Sequence, residues 1–286
     1  MLNIPSFETK KELIDFIVAN KETLTTQKKS AIKYADGIGF PISSTSAVEY
    51  KGRITFIEKD GIIPKEVEND INQIQVKAII NTTNILDSHG DVHLKGIWNK
   101  SIKENKRIMH VQEHKSQEFD KIIASGDELK ASVKDYSWKE LGYDVEGKTQ
   151  ALVFDSTVKE SRNPYMFEQY KNGYVNNHSV GMRYVKMDLA VNDKDYEKEK
   201  GLYDKHIDSI ANKSDAEDAG YFWVVSEAKV VEGSAVPSGS NPITPTMSTK
   251  NEEPTLLEMI DKMDTPQTKA ADSTFNIMNA ISKQKF

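Results

Sequence analysis

The chain has no cysteine, which excludes disulfides, thiolate nucleophiles and zinc–sulfur sites and fits an intracellular setting. It also has no excess of positive charge. Lys and Arg total 38 against 44 for Asp and Glu, a formal net charge of −6, so nothing draws the chain generally to phosphate backbones or anionic membranes. Direct nucleic-acid binding is therefore not expected. No run approaches the roughly 20 apolar residues of a membrane span. The opening stretch Met1-Leu2-Asn3-Ile4-Pro5-Ser6-Phe7 lacks a basic region followed by an apolar one, so the expectation is a product that stays in the cytoplasm, away from membranes. There is no phosphate-cradling glycine-rich loop and no internal repeat. At 286 residues the chain can still bury a substantial core.

Periodicity supplies the architecture. Leu13, Phe16 and Ile17 recur at helical spacing between Thr9 and about Asn20, which predicts a short amphipathic helix in an N-terminal extension covering residues 1–50. From Arg53 the period changes to two. Ile54 and Phe56 mark one strand; Ile74, Val76, Ala78 and Ile80 mark another with one buried face. Further strands are expected at Ala131–Trp138, Gln150–Phe154, Val180–Leu189 and Phe222–Val231. Helices are expected at Ile97–Glu104 and at Pro164–Asn172, the second opening on Asn163-Pro164 and closing on Gly173. The expected fold is α+β, with a β-rich, mainly antiparallel core decorated by peripheral helices. Residues 192–218, dense in Lys, Asp and Glu, read as a solvated helical insertion carrying only Leu202, Ile207 and Ile210 as an apolar stripe. The main domain is then 51–242. After Val236 the composition turns to Pro, Ser, Thr and Asn, marking a linker; residues 243–286 read as a separable tail with helices around Leu256–Met263 and Ile277–Ile281.

Two groups of residues can carry chemistry. Ser179, in His178-Ser179-Val180-Gly181-Met182, is a candidate nucleophile, which needs a base within hydrogen-bond reach and a third group to orient that base. Of the six histidines, His110 and His114 precede it, and a strand through Ile108–Lys115 places both on one face; spacing does not choose between them. The second group is Asp87, His89, Asp91 and His93, four oxygen or imidazole ligands at every second residue, a pattern that can hold zinc, manganese or iron in a metal-dependent hydrolase. The competing reading of that run is a turn at Gly90 capped by an aspartate.

Four segments, in one order, resemble the prohead (capsid maturation) serine proteases of tailed bacteriophages, whose fold is related to the assemblin proteases of herpesviruses. Asp87-Ser88-His89-Gly90-Asp91-Val92-His93-Leu94-Lys95-Gly96-Ile97-Trp98 is similar to the family's early Asp-x-x-Gly-Asp-Val-x-x-x-Gly-aromatic signature. Glu113-His114-Lys115, followed by Ile122–Gly126, resembles the histidine after an apolar strand and so favours His114 over His110. Lys171-Asn172-Gly173-Tyr174-Val175 and then His178-Ser179-Val180-Gly181-Met182 resemble the helix end and nucleophile strand, with Met182 in place of the usual aromatic. Glu232-Gly233-Ser234-Ala235-Val236 and Asn241-Pro242 resemble the Glu-Val-Ser-x-Val and Ala-Asn-Pro ending, with Gly233 where valine is usual and Ser240 where alanine is common.

The resemblance covers about Ile74 to Pro242 and leaves 192–218 unmatched. It implies an assemblin-like, barrel-like antiparallel core and a serine endopeptidase without cofactor or metal. Ser179 is then the nucleophile, His114 the base and Glu232 the third member; Asp155 and His206 are the rivals for that last role. The implied substrates are scaffold segments and the major capsid protein, and the protease itself. The implied place is the assembling prohead in the host cytoplasm, with self-association there. The alternative within the same fold is an inactive capsid-assembly or virion protein.

Overall fold

A computed structural model describes residues 5–30, 32–34, 72–105 and 107–251. The chain divides into a compact unit ending at Asn251 and a second unit, Glu252–Phe286. The second unit lies outside the described residues, as do the strand expected at Ile54 and Phe56 and the helices expected in the tail.

The fold is mixed α/β, with two mainly antiparallel sheets and helices around them. In chain order the strands are β1 (Lys33–Tyr34), β2 (Gln73–Thr82), β3 (Asp91–His93), β4 (Met109–Gln112), β5 (Ile122–Ser125), β6 (Leu129–Ser137), β7 (Lys148–Lys159), β8 (His178–Val191), β9 (Tyr221–Ala235) and β10 (Thr246–Asn251). The first sheet runs β1-β8-β9-β4-β5 with β3 also beside β9; the second runs β10-β2-β7-β6. Both β3 and β4 lie parallel to β9, and the other pairings are antiparallel. No closed barrel forms among the described residues, so the barrel-like closure expected from the sequence is not seen.

The expected alternation in β2 holds at its start, where Ile74, Val76 and Ala78 are fully buried and Gln73, Gln75 and Lys77 are half-buried. These residues, with Phe154 from β7 and Val180 from β8, make the main core between the sheets. The sheets approach closely at Gly233. A Cβ there would lie 2.4 Å from the Phe154 ring and 2.9 Å from Ile80 Cγ2, so the missing side chain makes room for large neighbours from the other sheet.

Helices α1 (Lys10–Ala19) and α2 (Lys21–Ser30) form the N-terminal pair. In α1, Thr9 accepts from the Glu12 N–H at 3.2 Å while the Glu12 carboxylate accepts from Thr9 N–H at 3.2 Å, a capping box that fixes the first turn. Ile14, Ile17 and Leu24 join the main core, so the pair is built in more firmly than a peripheral element. Helix α3 (Asn99–Glu104) is shorter than expected. Helix α4 (Pro164–Lys171) opens as the sequence indicates, with Asn163 Oδ1 accepting from Met166 N–H at 3.0 Å, and is followed by Gly173 at φ +70°.

Strands β8 and β9 form one long ladder from His178 opposite Ala235 to Val191 opposite Tyr221. The acidic insertion is the connection between them and holds α5 (Glu197–His206) and α6 (Lys213–Ala219). Tyr203, Ile207, Ile210 and Ala216 pack on Phe222 and Val224, while Leu202 is only partly buried. Residues after Val236 do not form a free linker. Ile243 and Thr244 are buried, Asn241 Nδ2 donates to Thr82 O at 2.9 Å, and β10 adds to the edge of β2. No helix among the described residues is long and apolar enough to cross a membrane.

Candidate active site

The central contact joins the turn after β4 to the β9 strand: His114 Nδ1 lies 2.6 Å from Glu232 Oε1. A carboxylate only accepts, so His114 carries its proton on Nδ1 and leaves Nε2 as the basic nitrogen. Glu232 is fully buried and the His114 side chain nearly so. Burial of both makes this pair's geometry far less screened than a surface ion pair.

His114 is not on a strand. Strand β4 ends at Gln112, and Glu113 and His114 both take positive φ, 49° and 59°. This left-handed pair turns the chain and corrects the expectation that one strand places His110 and His114 on one face. His110 stays in the strand, fully buried in the core, with Nδ1 2.9 Å from Ser156 Oγ and Nε2 3.0 Å from Tyr170 Oη. Burial pushes its pKa well below the ordinary imidazole range.

Register places the nucleophile candidate. Ser179 is paired directly with Ser234, and Gly181 with Glu232, across the β8–β9 ladder. Directly opposed residues share a face, with Cβ atoms about 4.5–5.5 Å apart. Ser179, Ser234 and Glu232 therefore belong to one face of the sheet, and His178, Val180 and Gly233 to the core face. Ser179 is 1% exposed, buried with Ser234 and Glu232. Ser234 adds a tie that sequence reasoning missed. Its hydroxyl accepts from the His114 backbone N–H at 3.0 Å and lies 2.5 Å from Glu232 Oε2, to which it donates. The readable signal was the i, i+2 spacing of Glu232 and Ser234 on a strand, which puts both side chains on one face.

The rivals for the third role lie elsewhere. Asp155 is on β7 in the second sheet, partly exposed, 3.6 Å from Lys77 Nζ and 3.5 Å from Lys134 Nζ. His206 ends α5, whose neighbours pack at Ala190 and Phe222, roughly 35 Å along the ladder from Ser179 at 3.3 Å per residue.

On the core side, a chain of buried hydrogen bonds connects β8, which carries Ser179, with β4, which leads into the His114 turn. His178 Nδ1 donates to Thr244 O at 2.9 Å, so its Nε2 accepts from Tyr170 Oη at 3.0 Å. The phenol's single proton is then used, so His110 Nε2–H donates to Tyr170 Oη and His110 Nδ1 accepts from Ser156. Burial pushes His178 down to about 4. Thr244 Oγ1 also accepts from His178 N–H at 3.1 Å and donates to His178 O at 2.8 Å.

The alternating run does not converge on a metal. Gly90, at φ +72°, makes a turn in which Asp87 Oδ1 accepts from the N–H groups of His89 and Asp91, each at 2.9 Å. Asp91 is ion-paired with buried Lys28 from α2 and accepts from Tyr184 Oη at 2.7 Å. His93 has Nδ1 3.1 Å from Asn81 Oδ1 and Nε2 3.2 Å from Tyr184 Oη. Burial and the nearby Asp91 charge raise Asp87 above the usual carboxylate range; burial works the same way on Asp91, but Lys28 outweighs it and holds Asp91 low. Among the described residues no group of three or more His, Asp or Glu side chains is arranged to hold a metal ion. The polar atoms that the spacing offers are used to lock a turn and to anchor α2.

Comparison with family models, curated proteins and solved structures gives no significant match to this chain.

Proposed function

We propose that this chain is a serine endopeptidase of phage capsid maturation, cutting scaffold or major-capsid-protein segments, and itself, inside the prohead. The carrying observation is the buried Glu232–His114 contact on the sheet face to which register assigns Ser179. The four sequence motifs in prohead-protease order supply the family; the assemblin-like arrangement of the strands, the capsid substrates, the self-association and the place in the host cytoplasm rest on that resemblance.

In the reaction Ser179 Oγ attacks the peptide carbonyl carbon while His114 Nε2 takes the hydroxyl proton. The C–N bond breaks, His114 returns the proton to the leaving amine, and an acyl-enzyme remains. Water then attacks the ester by the same route and releases the acid and Ser179. Glu232 keeps its charge throughout, fixes the His114 tautomer and stabilises the imidazolium.

The test is intact-mass analysis of the wild type and of Ser179→Ala, each co-expressed with the matching major capsid protein. Fragments formed only with the wild type are expected. A folded wild type that forms no fragments and whose Ser179 does not react with a fluorophosphonate probe would favour an inactive assembly protein.

A further inference from the structure

Ser234 bonds to both partners of the His114–Glu232 pair. Its hydroxyl has one proton and two lone pairs. The proton goes to Glu232 Oε2 at 2.5 Å, and a lone pair receives the His114 backbone N–H at 3.0 Å. Ser234 is fully buried, so no water replaces the hydroxyl if it is removed. Its backbone is fixed between Val111 of β4 and Ser179 of β8 by the ladders on either side.

This arrangement solves two geometric problems together. A glutamate has three side-chain torsions, and Oε1 meets His114 Nδ1 only if the carboxylate plane is held; the bond to Oε2 holds it from the other side. His114 sits in a left-handed backbone conformation that a non-glycine residue adopts only when its surroundings enforce it, and the bond from its N–H to Ser234 is one such restraint.

We propose that Ser234 is a positioning residue of the catalytic site: it fixes the carboxylate of Glu232 and the backbone of His114 at once, and so sets the base for Ser179. The proposal rests on the serine-peptidase reading. The hydroxyl also disperses the carboxylate charge. Without it one oxygen of the Glu232 carboxylate loses its donor and the plane that meets His114 is no longer held from that side. The other charged groups on the β4–β5 turn are Glu113 with Lys115, paired at 3.1 Å, Asp120 with Lys121, paired at 2.9 Å, and Glu118, and the substitution alters none of them. On β8, His178 lies on the core face, where burial keeps it neutral.

The experiment compares wild type, Ser234→Ala and Ser234→Thr by the rate of fluorophosphonate labelling as a function of probe concentration, with thermal unfolding and the His114 ring 1H–15N spectrum of each. In labelling, the Ser179 Oγ–P bond forms, the P–F bond breaks, fluoride leaves and His114 takes the serine proton. For Ser234→Ala the expected result is a maximal rate down about tenfold or more with half-saturation unchanged, and His114 ring 1H–15N resonances shifted from the wild type. Ser234→Thr, which keeps the hydroxyl on a side chain suited to a strand, restores both. A folded Ser234→Ala with the wild-type rate and resonances overturns the proposal, as does a folded Ser234→Thr no better than alanine. If the alanine variant does not fold, Ser234→Cys, with its weak donor, takes its place under the same outcomes. A wild type not labelled at Ser179 instead defeats the peptidase reading. The positioning contact is then judged by the His114 ring 1H–15N resonances, which shift between wild type and Ser234→Ala only if the hydroxyl sets that pair.

Discussion

Gly181 stands opposite Glu232, and a Cβ at Gly181 would lie 2.0 Å from Glu232 Oε1 and 2.8 Å from its Cδ. The missing side chain is the space the acid occupies. Glu232 cannot swing aside without leaving His114 and Ser234, both of which it contacts from a fully buried position. Gly181→Ala is therefore expected to cost about 2–4 kcal/mol and to reduce Ser179 labelling strongly. In a Glu232→Ala background the same change should cost much less, and a double-mutant cycle on urea midpoints measures the coupling. Additive costs would show that the alanine methyl finds room elsewhere.

Replacing Glu232 by Gln should keep the shape and reverse the chemistry. The amide NH2 facing His114 Nδ1 can only donate, which moves the imidazole proton to Nε2 and leaves no base toward Ser179. Labelling and peptide hydrolysis should fall by roughly 10³–10⁴, with little change in melting temperature. A fall of less than tenfold would remove Glu232 from the catalytic set.

Three histidines are buried and kept neutral. Burial pushes His93 and His178 down to about 4 and His110 well below its ordinary value. In the unfolded chain each takes up a proton near 6.5. Between those values the unfolded state holds more protons, so stability is lost as pH falls from about 6.5 toward 4. By pH 4.5 the cost is about 2–3 kcal/mol for each of His93 and His178. Urea unfolding at pH 7 and pH 4.5 checks this; equal stabilities would mean that the rings are hydrated in solution.

Lys28 and Asp91 form an ion pair whose side chains are 3% and 1% exposed. Lys28→Met removes the cation and leaves two neighbouring buried carboxyls, Asp87 and Asp91, facing each other without it. The expected loss is about 3–5 kcal/mol. Adding Asp91→Asn should recover much of it, because the uncompensated charge goes while Tyr184 keeps an acceptor. A single variant as stable as wild type would show that water reaches Asp91.

Strong periods were legible in the sequence. Ile74 to Ile80 announced β2, and the Asn163-Pro164 start and Gly173 stop announced α4. The Ser179, His114 and Glu232 assignments came from motif order, because register and turn geometry bring together residues far apart in the chain. The left-handed pair at Glu113 and His114 left no mark, since neither residue is glycine. The polar stretch after Val236 reads as a linker because Thr, Asn and Ser are common in loops; here Asn241 and Thr244 bond to Thr82 and His178 instead, a satisfaction that only the folded partners reveal. Nor does the sequence single out Lys28, whose partner Asp91 lies far along the chain.

Strand β10 gives the fold a biosynthetic order. It is the last strand of the described unit and pairs with β2, the first long one, and Thr244 just before it grips the residue that precedes Ser179. A chain emerging from the ribosome presents His114, then Ser179, then Glu232, and gains the Thr244 grip only after all three are made. Such distant pairings form late and slowly. The hold on His178, next to Ser179, is therefore completed only after the closing stretch of the folded unit has been made.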